Sequence, residues 1–202
     1  MIGDYLQELL SPLFPIVMPA VRDLWTYGET GYHALAGARV EERYSREALN
    51  SAFRILGEGQ LALTKFLWLV DGEVELKRPK EVLQYLLRRF RPETDLYLFA
   101  NLSMDTLDYA GPAINKGSKG VMVGVGKPYR ALPKEYKGET FSGLLNVEVY
   151  CPGVLVVDGP SHEEDPGFAQ TVAERFPDWP FVALVDDAKK AASTDTRFLW
   201  TL

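Results

Sequence analysis

Phe66-Leu-Trp-Leu-Val-Asp71 and Phe181-Val-Ala-Leu-Val-Asp186 share one pattern: a short, unbroken apolar run that ends on an aspartate. A run of this length, with no polar alternation, reads as a strand buried on both faces. The first is followed, after a polar turn, by Val82-Leu-Gln-Tyr-Leu-Leu-Arg-Arg-Phe90, whose apolar spacing is helical. The second is followed by Phe198-Leu-Trp-Thr-Leu202 and nothing further. A helix of one or two turns whose apolar face has just begun is a poor place for a domain to end. The expectation is that these residues belong to a larger protein and that its last part is a truncated repeat of a strand–helix unit.

Working outward, the same strand and helix signals alternate along the chain. His33 to Val40 reads as a strand. Ser45 is the expected N-cap of a helix through Ala48, Leu49, Ala52, Phe53 and Leu56, with Gly57 ending it. Pro79 sits early in the next helix and Pro92 closes it at Phe90. Asp95–Ala100, Val121–Val125, Val147–Tyr150 and Val154–Val157 read as further buried strands. A helix is expected from Asp165 or Pro166 to Phe176. Continuous apolar strands separated by helices predict a three-layer α/β fold, its mostly parallel sheet covered by helices on both faces. Ser11, Pro12, Pro15 and Pro19 interrupt the apolar stretch from Leu9 to Val21, which predicts a Pro-broken helical linker over residues 1–27. The expected division is then an α/β domain over 28–140 and further strand–helix units over 141–202.

With 202 residues, 47% of them hydrophobic and 25% charged, the chain is long enough to bury a substantial core. Its net charge is −6, and no window concentrates lysine and arginine with aromatics, which argues against a nucleic-acid partner. The single cysteine, Cys151, excludes an intramolecular disulfide and reads as a small buried hydrophobe before Pro152-Gly153. No transmembrane span and no basic-then-apolar leader stand out, so a cytoplasmic location is expected.

In parallel sheets ligands gather at the carboxyl ends of the strands. Asp71, Asn101, Asp158 and Asp186 stand at those expected ends, with Asp187 adjacent; Asp71, Asp158 and Asp186 are the candidate metal ligands. The competing reading is that each aspartate caps the turn or helix that follows it. His162, Glu163, Glu164 and Asp165 form the densest local set of ligand types. Their spacing matches no zinc pattern, and an acidic approach to the next helix explains them equally. Gly117-Ser-Lys-Gly120 has the residues of a phosphate cradle but precedes a strand, where phosphate loops open helices. Glu41-Glu42-Arg43 reads as a solvated strand end. His33 reads as a structural histidine, with a ligand contact as the alternative. No triad, Cys–His pair or nucleophile elbow appears.

The sequence does, however, resemble a known family. Arg43-Tyr44, Glu47-Ala48, Gly57-Glu-Gly-Gln-Leu-Ala-Leu-Thr-Lys-Phe66 and Leu69-Val-Asp71 resemble the carboxyl-terminal domain of the UbiD decarboxylases. Glu81-Val-Leu83, Arg88, Arg91-Pro-Glu-Thr-Asp95, Leu107-Asp-Tyr-Ala110 and Gly117-Ser-Lys119 continue the likeness, which covers about residues 2–125. The lead-in from Ile2 is similar to that family's connection between its two halves. The chain departs at Ser45-Arg46, where members commonly carry Pro-Gly, and Val121–Gly126 lacks the aspartate they tend to show there.

The resemblance implies a non-oxidative decarboxylase of aromatic or α,β-unsaturated acids, with a place in ubiquinone or menaquinone biosynthesis. It also implies prenylated FMN with Mn²⁺ and K⁺, all held by an amino-terminal region of the same protein. No residue of this chain matches those cofactor or catalytic motifs, and Glu29, despite its Tyr-Gly-Glu-Thr-Gly setting, belongs to the other domain. The role left for this half is a wall of the substrate cleft and the contacts of a homo-oligomer. Met104, Leu107, Tyr109 and Ile114 are the expected pocket residues, with core under a long loop as their alternative role. Two other readings stay open: an oligomerisation domain with no site of its own, and a free-standing carboxylate–metal protein.

Overall fold

A computed structural model describes residues 2–108 and 111–202, in two compact units, Met1–Tyr129 and Arg130–Leu202. In the first unit the lead-in forms α1 (Ile2–Leu10), a 3-10 turn and α2 (Phe14–Val17), and Pro12 and Pro15 each sit in the opening turn of a new helical segment. The rest of the expected linker is not helical. Val21–Thr26 is a strand, β1, running antiparallel to β2 (Leu35–Val40). Its buried residues, Val21 and Leu24, are spaced unevenly because a bulge between Val21 and Asp23 shifts the register. That broken alternation hides the strand in the sequence.

The remaining elements of the unit are α3 (Glu47–Gly57), β3 (Phe66–Val70), α4 (Pro79–Leu87), α5 (Pro92–Asp95), β4 (Leu96–Ser103) and β5 (Lys116–Gly124). The sheet order is β1-β2-β3-β5-β4. β2, β3 and β5 are parallel, while β1 and β4 join antiparallel at the two edges. Among the described residues, the connections of both edge strands to their partners carry no α-helix, which suits antiparallel pairing. The parallel arrangement therefore holds for the central strands only.

Alternation in the parallel strands divides the core. Ala36, Ala38, Val40, Leu67, Leu69, Val121 and Val123 pack with Ala48, Ala52 and Ile55 of α3, and with Met18, Val21 and Leu24. The alternate residues face the other way. There a Cβ on Gly124 would stand 2.5 Å from the Cα of Leu86, so α4 covers that face at backbone distance. Trp68 meets Tyr27 edge to face at 5.7 Å, and the buried Tyr27 hydroxyl donates to Leu76 O at 2.8 Å.

Two local expectations fail for a physical reason. Ser45 does not cap α3. Arg46 takes the cap position with φ 66°, and the Glu42 carboxylate accepts the N–H groups of Arg46 (2.8 Å) and Ala48 (2.9 Å). Glu42 is thus a helix cap and not merely a solvated strand end. Burial is the expectation for β4, yet Leu98 is 70% exposed because β4 is the free edge of the sheet.

The second unit holds β6 (Asn146–Cys151), β7 (Val154–Asp158), α6 (Phe168–Arg175), β8 (Phe181–Val185), α7 (Ala188–Ala192) and α8 (Asp195–Thr201). β7 is central, antiparallel to β6 and parallel to β8, and all five of its residues are buried. Leu155, Val157, Phe168, Val172, Phe176 and Trp179 form its core. Gly153 N donates to Pro133 O at 2.9 Å, so the expected boundary after residue 140 falls inside this unit. α8 is docked: Phe198 stacks on Tyr150 at 3.7 Å, and both Phe198 and Leu199 are buried. Among the described residues no helix is long and apolar enough to cross a membrane.

Candidate functional site

Three nitrogen-bearing side chains, His33, Lys65 and Lys119, stand near the points where β2, β3 and β5 begin to pair in parallel. Their neighbour is the segment that leaves β4. Met104 is buried, its N–H donates to Asn115 O (3.2 Å), and Asn115 Nδ2 donates back to Met104 O (3.0 Å). Gly117 makes room for it, since a Cβ there would lie 2.6 Å from Met104 Cγ. His33 Nδ1 bonds to the Asp105 carboxylate, and Lys65 Nζ pairs with Asp108 Oδ1 at 2.9 Å. The contact with His33, reinforced by Leu107 N–H, holds the Asp105 carboxyl below the usual carboxylate range.

Lys119 has a different role from the expected phosphate contact. Gly117–Gly120 lies within β5, and the buried Lys119 ammonium donates to Ala62 O and to Thr64 O (2.7 Å). Burial pushes its pKa down.

The four expected pocket residues separate. Met104 is core beneath the loop, whereas Leu107 and Ile114 are 68% and 78% exposed. Tyr109 lies outside the described residues. Sequence reasoning misses Asp105, Asp108 and Lys65 as partners; an Asp-x-x-Asp spacing is the available signal, but their cations are far away in sequence.

At the carboxyl ends of the parallel strands, Asp71 accepts from Tyr85 Oη and from Gly126 N, each at 2.8 Å. Burial, then the bond to Asp71, pushes the Tyr85 hydroxyl up to about 12. Arg89 lies 3.5 Å over the Tyr85 ring and donates to Gly126 O at 2.7 Å. Asn101 is not at a strand end; it sits within β4 at a register shift, with φ 57°.

Asp158 and Asp186 belong to the other unit. Asp158 accepts from Asn146 N (2.8 Å), Asn146 Nδ2 (3.0 Å) and Ala188 N (2.8 Å), and Asp187 caps α7 through Lys190 N (2.9 Å). Glu164 and Ser161 satisfy each other's backbone N–H groups, at 2.9 and 3.3 Å. Among the described residues no three His, Cys, Asp or Glu side chains converge as a metal site.

Comparison with known proteins connects this geometry to a family. Residues 1–124 match the model of the 3-octaprenyl-4-hydroxybenzoate carboxy-lyase C-terminal domain. The chain is 48% identical over 202 residues to a Chlamydia pneumoniae protein named as a subunit of 4-hydroxybenzoate decarboxylase. It is likewise 48% identical over 200 residues to an uncharacterised Chlamydia trachomatis protein. In both cases the alignment takes in 98% of this chain and 34% of the relative, so the chain spans about a third of these relatives' length.

Vanillic acid decarboxylase of Sedimentibacter hydroxybenzoicus, in its closed form, superposes with a TM-score of 0.53 at 21% identity. That match covers 82% of this chain and 30% of that one. The UbiD-class enzyme HmfF of Pelotomaculum thermopropionicum, solved with FMN, gives 0.52 at 16%, over 67% of this chain and 30% of that one. At such identities the structures establish the α/β fold alone. The family rests on the match over residues 1–124, and by it this chain belongs to the UbiD carboxy-lyases, as a member of their C-terminal domain.

Proposed function

We propose that the chain is the carboxyl-terminal part of a cytoplasmic UbiD-type decarboxylase acting on an aromatic acid of the 4-hydroxybenzoate class, on a route to quinones. The observation that carries this reading is the 48% identity, across 98% of the chain, to the Chlamydia pneumoniae protein named for 4-hydroxybenzoate decarboxylase. In the whole enzyme the amino-terminal region would hold prenylated FMN with Mn²⁺ and K⁺, and the flavin would supply an electron sink for decarboxylation. The departing CO₂ is replaced on carbon by a proton. A dry wall favours that charge-forming step, and Leu107 and Ile114 supply exposed apolar surface beside β4 for it. β4 supports the second part of the role, subunit contact. It carries no charged residue and no proline, and Leu96, Leu98 and Leu102 are all exposed along it.

The test uses the full-length protein loaded with prenylated FMN. It is expected to release CO₂ from 4-hydroxybenzoate, while this chain alone neither binds flavin nor turns over. A full-length, flavin-loaded protein inert toward a panel of aromatic acids would instead support a purely structural domain.

A further inference from the structure

We infer that the exposed apolar face of α1 and α2 is the docking surface for the folded body that precedes this domain in the longer polypeptide. This presupposes that the chain is the carboxyl-terminal part of a larger protein, as proposed above, and is independent of that protein's activity.

A surface helix ordinarily turns its apolar side to the core and its polar side to water. α1 does the reverse. The Gln7 carboxamide accepts from Thr26 N at 2.7 Å and donates to Thr26 O at 3.0 Å, so it satisfies the free edge of β1 as a neighbouring strand would. One turn on, Ser11 Oγ donates to Asp23 at 2.7 Å, and Glu8 pairs with Lys77. Polar side chains thus hold the helix to the sheet, and all the residues of α1 and α2 are at least partly exposed.

Ile2, Leu6, Leu9, Leu13 and Ile16 recur at intervals of four and three, the spacing of one helical stripe. All five are exposed, Ile2 by 81% and Ile16 by 76%. Backbone angles at Leu10 and Leu13 stay right-handed helical on either side of the 3-10 turn, so the stripe carries over from α1 to α2. Tyr5, Leu10 and Val17 flank it and are exposed as well. A lone partner helix needs only the narrow stripe, whereas this widened face matches what a helix buries in a globular core. The width therefore favours a folded body over the single helix of a second copy.

Polypeptide for that body exists in the relatives. The alignments cover 34% of the two chlamydial proteins, which leaves about two thirds of their length outside this chain. Residues 1–124 match a C-terminal domain, so the additional length lies on the amino-terminal side, where α1 stands.

Single cysteines test the docking: Leu6→Cys, Leu9→Cys and Ile16→Cys, with Glu58→Cys as an exposed control, each in this chain and in the full-length protein. Substitutions at such exposed positions cost little stability, so the variants are expected to fold. Maleimide labelling, read site by site by peptide mass spectrometry, should be fast at all four positions in this chain. In the full-length protein the three face positions should label about ten-fold or more slowly, because a covered thiol reacts only when the face opens, with the control unchanged. Equal rates in the two proteins overturn the inference. So does protection of the isolated chain that grows with its concentration, which assigns the face to a second copy, or protection that appears only with phosphatidylcholine vesicles, which assigns it to lipid. Labelling needs neither flavin nor substrate. An inert full-length protein with a protected face sinks the decarboxylase reading alone, and an active one with a freely labelled face sinks the docking alone.

Discussion

At Gly124 the missing side chain sets how closely α4 approaches the sheet. A Cβ there would meet backbone, the Cα of Leu86 at 2.5 Å, which cannot rotate aside. Gly124→Ala is therefore expected to cost about 1–3 kcal/mol through overpacking, read as a lower urea midpoint with an unchanged slope. Asp105 gives a prediction in pH. Its folded pKa is depressed by His33 and by Leu107 N–H, so the stabilisation is present above the unfolded value, about 3.9, and is lost as pH falls through the folded one. Asp105→Asn should destabilise at pH 5 to 6, and the difference from wild type should shrink below about pH 4. A difference that stays constant down to pH 2.5 in acid-unfolding curves would contradict the assignment.

Among the elements, α8 shows how a seven-residue helix is held. Alone it is too short to persist in water. Thr194 caps it through Arg197 N at 3.2 Å, the Tyr150 hydroxyl donates to Asp195 at 2.9 Å, and Phe198 stacks on the Tyr150 ring. Phe198→Ala should thus cost about 3–5 kcal/mol and loosen the second unit, with near-UV circular dichroism reporting the loss of Tyr150 packing. β4 makes the opposite case. Its apolar run, Leu96-Tyr-Leu-Phe-Ala100, has the composition of a buried strand, but its place at the sheet edge leaves much of it exposed.

At the scale of the whole molecule, that edge is where the proposed subunit contacts would lie. Leu98, 70% exposed on β4, lies beside Phe66 across Gly120, and Phe66 is itself 44% exposed. Leu98→Lys should leave the thermal midpoint within about 2 °C of wild type, since little burial is lost. If β4 carries subunit contacts, the mass in sedimentation equilibrium should fall to that of one chain. An unchanged assembly would move those contacts elsewhere.

Local patterns along the chain were enough for the α/β class, for seven of the eight strands among the described residues, and for the family, through Leu-Thr-Lys-Phe66 and Arg91-Pro-Glu-Thr-Asp95. These are local signals: periodicity, proline position and motif order lie within a few residues of one another. The fold in three dimensions was needed to show that β1 exists, that β4 is an edge, that Glu42 and not Ser45 caps α3, and that Lys119 faces carbonyls. It alone paired His33 with Asp105, and separated Asp71 from Asp158 into different sheets. Pairing in a sheet joins residues tens of positions apart, and no pattern along one stretch of chain records which strand will lie beside it.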